Sequence, residues 1–209
     1  AGEITSGLHA IIDEAFQHVA LGSPQKTIVL LERLRSQEWN RCDERLKYRI
    51  LANLGNAHLA RDEPTQAAEY YFEAYSHQPS DIQALALRTL GLLCVDKVAE
   101  ARQSATSIVE ENPAHRQGWS LWVQAHLESM SYDDISSSVP RDVQKDGEVA
   151  LALANSAARA GRLEDAERHA RCALCDEKAR VQAHFTIATI VLQDVVSKSP
   201  NPEGISIPH

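Results

Sequence analysis

The chain has 209 residues, 44% hydrophobic and 24% charged, with a formal net charge of −8 and a pI near 5.6. That length buries a sizeable core, as one solenoid or as up to two globular domains, and the acidic balance speaks against a nucleic-acid surface. No run approaches the roughly 18 apolar residues of a membrane span, and an Ala- and Leu-rich set with few aromatics favours helices packed through small residues over a β-sandwich.

Residues 1–5 read as a frayed end. From Ser6 the spacing of Leu8, Ile11, Ile12, Ala15, Phe16 and Val19 is helical and buries one face. Gly22-Ser23-Pro24 breaks that helix, with Ser23 as the expected N-cap and Pro24 in the next first turn. The partner helix carries Thr27, Ile28, Leu31 and Leu34, to about Gln37. Trp39–Cys42 connects, and Asp43 is the expected cap of a helix from Glu44 to Arg61.

The stretch from Tyr48 to Asp81 is the most ordered pattern in the chain. Leu51, Leu54, Gly55 and His58 stripe its first helix; Ala67, Tyr71 and Ala74 stripe its second, and Pro79 closes it. Gly55 and Ala67 are small, so the two backbones are expected to approach closely. Residues 82–115 repeat the period: Ala101 lies 34 residues after Ala67, and Pro113 lies 34 after Pro79. Helix Ile82–Val95 is apolar enough to be buried on more than one side, although Arg88 and Thr89 fill the slots of Leu54 and Gly55.

Residues 116–146 are less regular. Trp119, Trp122, Val123 and His126 make a helix, Asp133-Asp134 are placed to cap a short second one, and Ser136–Ser138 with Pro140 interrupt it. A short or irregular segment is expected between Ile135 and Lys145. Residues 147–180 restore the pattern, with Ala150, Leu153, Ala154 and Ala157 on one helix, Gly161 at its end, and Leu163, Ala166, Ala170 and Ala173 on the other. A last helix from Arg180 to about Val196 covers the end, and Ser197–His209 reads as a Pro- and Ser-rich tail or linker.

The order L-G-x-x-(aromatic)…A-x-x-x-(aromatic)-x-x-A…P in 48–81, and the phrase Ala160-Gly161-Arg162-Leu163-Glu164-Asp165-Ala166-Glu167, resemble the tetratricopeptide repeat, a helix-turn-helix unit of about 34 residues. The resemblance implies an all-α, right-handed α-α superhelix of about five helix pairs, one irregular. Its repeats fall near 8–41, 48–81, 82–115, 116–146 and 147–180, with a final helix over 181–196 and a tail over 197–209. It also implies protein binding: first helices of such repeats line a concave groove for an extended peptide or a partner helix.

Groove positions lie just off the apolar stripe of each first helix. They are Arg49, Ala52, Asn53, Asn56 and Ala60; then Gln83, Ala86 and Leu90; then Gln117, Ser120 and Gln124; then Leu151, Asn155 and Arg159. Asn56 and Asn155 hold matching places, where an amide can clamp a peptide backbone from both sides. Some tetratricopeptide domains grip a C-terminal carboxylate through Lys and Asn on successive first helices. Arg49, Asn53 and Asn56 supply part of that set, but Gln83, Leu87 and Leu90 stand where further cations are needed.

His169, Cys172 and Cys175 form H-x-x-C-x-x-C, a spacing that suits zinc or copper if His184 joins as a fourth ligand. Helix packing explains the same residues, and no metal or other cofactor is expected. No nucleophile elbow, Gly-rich phosphate loop or H-E-x-x-H occurs, and the carboxylate pairs Asp133-Asp134 and Glu110-Glu111 diverge on a helix. The chain is therefore expected to be a non-enzymatic scaffold with a protein or peptide partner, without nucleic acid or membrane. Four cysteines and the lack of a signal-peptide pattern place it in the cytoplasm. The alternatives are a helical spacer within a larger multidomain protein and a metal or thiol site at His169, Cys172 and Cys175.

Overall fold

A computed structural model describes residues 2–177 and 179–198. The described chain is all helix and turn: α1 (Gly2–Ala20), α2 (Pro24–Glu38), α3 (Glu44–Leu59), α4 (Pro64–His77), α5 (Ile82–Cys94), α6 (Val98–Glu111), α7 (Arg116–His126), α8 (Tyr132–Ser138), α9 (Gly147–Arg159), α10 (Leu163–Ala173) and α11 (Arg180–Lys198). It is an all-α helical-repeat fold. It divides into two compact units, one ending at Ala125 and one beginning at His126.

Four of the turns between paired helices are built alike. Gly22, Asp62, Asp96 and Gly161 each take a positive φ, between 58° and 74°. The next N–H then reaches back to a carbonyl of the preceding helix: Ser23 to His18 (2.7 Å), Glu63 to His58 (3.0 Å), Lys97 to Leu92 (2.9 Å) and Arg162 to Ala157 (2.9 Å). This left-handed closure satisfies carbonyls that the helix end leaves open. Asp is tolerated in that conformation and Gly suits it best.

The starts of the helices are set by short acidic or hydroxyl side chains. Asp43 accepts from the Leu46 N–H, Asp81 from Gln83 and Ala84, and Asp146 from Glu148 and Val149. Ser23 differs from its expected role: it precedes α2 but makes no side-chain cap, and Pro24 fixes the first turn instead. At α8 the cap is Ser131, whose hydroxyl accepts from the Asp134 N–H; Asp133 and Asp134 sit in the first turn, beside the positive helix end.

In the first unit, Leu8, Ile12 and Ala15 of α1 pack with Leu31 and Leu34 of α2 and with Leu46, Ile50 and Leu54 of α3. The α3–α4 pair is closed by Tyr71, which is fully buried. A Cβ at Gly55 would lie 2.4 Å from Tyr71 Cε1, so the glycine makes room for a ring rather than for a second backbone. On the other side of α4, a Cβ at Gly91 of α5 would lie 2.9 Å from Phe72 Cε1. Arg35 of α2 also clasps Glu73 of α4 through one nitrogen at 2.8 and 3.0 Å.

The second unit packs mainly through alanines. Ala154 and Ala157 of α9 meet Ala166 and Ala170 of α10 with Ile190 of α11, while Ala150 meets Ala173, Ala179 and Ala183. The irregular stretch has a cause: α8 stops after seven residues, and the Gln144 amide donates to the carbonyls of Ser136 (3.0 Å) and Val139 (2.9 Å) where the helix ends. α11 runs to Lys198, beyond the expected Val196, and the expected tail from residue 199 onward lies outside the described residues.

Gly55→Ala is expected to destabilise the chain by about 1–3 kcal/mol, because the buried Tyr71 ring has to move. Gly7→Ala, with nothing within 4 Å of its new Cβ, is expected to stabilise by up to about 1 kcal/mol from helix propensity alone. Urea midpoints at unchanged slope check both. Equal responses at the two sites would refute the notch.

Candidate functional site

The anticipated groove residues of the first unit are largely occupied by their own neighbours. Arg49 Nη2 pairs with Asp13 and its Nη1 meets the His9 ring, so the guanidinium ties α3 to α1. Asn53 donates to the Arg49 carbonyl at 2.8 Å. Asn56 accepts the Tyr71 hydroxyl at 2.9 Å through its amide oxygen. Gln83 meets the His115 ring at 2.9 Å, and Gln124, which is exposed, donates to Ser120 Oγ at 3.2 Å. Gln117 is half-buried. Ala86 and Ser120, two further groove positions, are buried because α5 and α7 are covered on more than one side.

The second unit brings its two together. Asn155 and Arg159 lie one helical turn apart on α9, both exposed. They line a cleft of about 440 Å³ with Ala158, Leu127 and a face of α11 that includes Gln182, Phe185, Thr189 and Gln193. Arg159 reaches Glu128 at 3.4 Å, with the carboxylate 74% exposed, so the pair is loose and solvent-screened. The cleft therefore offers amide donors and acceptors, one guanidinium open to exchange, and the apolar surface of Phe185. That set suits a peptide backbone, a carboxylate and an apolar side chain in sequence. The α11 contribution was not anticipated, because that helix read only as an end cover.

A second and larger cavity, about 820 Å³, opens beside the short α8. Its wall is an ion network: Arg162 meets Asp133 (3.1 Å) and Asp165 (2.7 Å), and Arg168 meets Asp165 (2.7 Å). Arg168 holds the Asp165 carboxyl below its usual range, with Arg162 adding to the effect. Its floor is His169, whose Nε2 lies 3.0 Å from the Tyr132 hydroxyl. Burial pushes the His169 pKa down to about 4, Arg168 adding to the drop and Asp165 opposing it.

The same contact engages the first residue of the H-x-x-C-x-x-C motif. His169 is 3% exposed and engaged with Tyr132, Cys172 Sγ faces the Lys145 carbonyl at 3.9 Å, and Cys175 is exposed. No cluster of three or more His, Cys, Asp or Glu able to hold a metal occurs among the described residues. Burial raises the thiol pKa of Cys42 and Cys94 above the ordinary value, which keeps both as inert thiols. Among the described residues, no helix is long and apolar enough to cross a membrane.

No family model matches the sequence, and no curated protein does. Solved structures match the fold. A thermophilic tetratricopeptide-repeat protein of Thermus thermophilus superposes with a TM-score of 0.70 at 16% identity, over 88% of this chain and 99% of that one. A tetratricopeptide repeat protein from Parabacteroides merdae gives 0.54 at 17%, over 93% and 81%. A MamA double mutant (RS-1) gives 0.52 at 16%, over 84% and 96%. The fold is thus that of tetratricopeptide-repeat proteins, in agreement with the resemblance of the repeat motifs.

The His169 pKa sets a pH dependence. The folded ring, near 4, binds fewer protons than the unfolded one near 6.5, so its contribution is complete above about pH 6.5 and is lost as pH falls toward 4. A shift of that size corresponds to roughly 3 kcal/mol across the window. Replacing His169 by Gln is expected to flatten the decline in unfolding free energy between pH 7 and 5, read by urea titration. An undiminished decline would show that other groups drive it.

Proposed function

We propose that the chain is a non-enzymatic protein-interaction scaffold that holds an extended peptide or partner helix against the first helices of its repeats, in a cytoplasmic setting. The observation that carries this reading is the cleft of the second unit, where Asn155 and Arg159 of α9 face Phe185 and Thr189 of α11. In the first unit the corresponding proposed contacts are Arg49, Asn53, Asn56, Gln83, Gln117 and Gln124. There Arg49 and Gln83 must exchange an internal partner for a ligand.

Mechanism follows from preorganisation. α9 is held on both flanks by alanine contacts, so its polar row is fixed before a ligand arrives and the ordering cost falls on the ligand. The Asn155 amide pairs with a peptide group whatever the side chain. Arg159 exchanges the exposed Glu128 for a ligand carboxylate, and Phe185 receives an adjacent apolar side chain. The favoured ligand is a segment with an acidic residue next to an apolar one. The reading that makes the chain a spacer draws support from the first unit alone, where Arg49, Asn53 and Gln83 are turned to internal bonds.

Peptide display against the purified chain tests the proposal. Selected peptides are expected to carry an acidic–apolar pair and to lose at least tenfold in affinity on Asn155→Ala with Arg159→Ala, at unchanged helix content by circular dichroism. Peptides that bind the double variant equally well would move recognition to another surface.

A further inference from the structure

α11 carries apolar residues on two opposite sides. Ala183, Thr186, Ile187 and Ile190 point into the second unit and are buried or half-buried. On the other side Val181 (81% exposed), Phe185 (69%), Leu192 (65%) and Val195 (56%) stand in solvent, together with Ala188. Their spacing is four, three, four, three, which is one continuous stripe along a helix and the seam geometry of helix-on-helix packing. With Val191 and Val196 beside it, the stripe exposes on the order of 600 Å² of apolar surface, as much as the largest patch on a typical monomer.

The stripe is close to palindromic about Ala188. Laid antiparallel on itself with Ala188 opposite its own copy, Val181 meets Val195 and Phe185 falls between Val191 and Leu192, and at Ala188 a methyl lets the two axes approach. Of the described flanking side chains, Gln182, His184, Thr189 and Gln193 carry no fixed charge and the exposed Arg180 falls opposite Val196 of the copy, so the pairing brings no fixed like charges together among the described residues. The two helix dipoles oppose each other favourably. Two such faces approach the roughly 1,200 Å² at the lower end of specific interfaces.

We infer that α11 is a self-association surface: two copies of the chain pair antiparallel through Val181, Phe185, Ala188, Leu192 and Val195, on a two-fold axis at Ala188. The pairing is isologous, as closed dimers require. The seam shares Phe185 with the peptide cleft, whereas Leu192 lies outside the cleft lining, so Leu192→Glu tests the pairing and Asn155→Ala with Arg159→Ala tests the cleft, each without the other.

Sedimentation equilibrium of the full chain from about 5 to 200 µM tests it, since dimerisation is concentration-dependent. The expected mass rises from 23.1 kDa toward twice that value, and Leu192→Glu holds it at the monomer with helix content unchanged. As a second readout, Ala188→Cys with Cys172 and Cys175 changed to Ser is expected to yield a disulfide-linked dimer on oxidation, where Val29→Cys in the same background yields none. A wild-type chain that stays monomeric throughout would overturn the inference and leave the face to a different helix. So would a dimer that Leu192→Glu leaves intact, or crosslinking as efficient at residue 29 as at 188.

Discussion

The first unit is organised by one fit: the Tyr71 ring in the space left by Gly55. A fully buried phenol brings a hydroxyl with it, and a buried hydroxyl without a partner costs more than the ring's burial can comfortably offset. Asn56, the residue after the notch, supplies that partner at 2.9 Å. Burial also raises the Tyr71 pKa, so the group stays a neutral donor. With Gly91 making a second notch for Phe72, α4 is keyed to both α3 and α5, and the helices on either side inherit their spacing from it.

That keying draws on the polar side chains of the same unit. Polar side chains one position off the apolar stripe are the natural contacts for a ligand, yet they are also the nearest groups able to satisfy a neighbouring helix. Asn56 serves Tyr71, Arg49 serves Asp13 and His9, and Gln83 serves His115. The second unit solves its packing differently. Alanine on alanine needs no polar partner, so the polar row of α9 is left facing outward, and Asn155 and Arg159 stay available. Specific recognition is easier to build where packing makes no claim on the polar groups.

This contrast explains how far the sequence could be read. Period and small-residue stripes are local, so the helix pairs, the Asp43 cap and the Gly161 stop were legible. The purpose of Gly55 was not: spacing marks a small residue at a crossing, but whether a backbone or a ring enters the gap depends on the rotamer of a residue sixteen positions later. The groove residues were harder still. A stripe places Arg49 and Arg159 alike, and only the helices beside them decide that one is bound by α1 and the other open. Gln144, which closes the end of α8 through two carbonyls, left no periodic trace at all.

The outward faces of α1 and α11 differ in kind. Each pair of a helical repeat buries its apolar faces on its neighbours, so an outward face that stays apolar along its length is suited to a cover. On α1 the buried face is continuous, and Phe16, at 53% exposure, stands alone among the described outward side chains as a large apolar group. α11 differs, repeating Val, Phe, Leu and Val along one exposed stripe whose Phe185 borders the cleft with α9. A seam of that regularity suits a helix lying against it, and its near-symmetry about Ala188 is what makes an antiparallel copy of α11 the proposed partner.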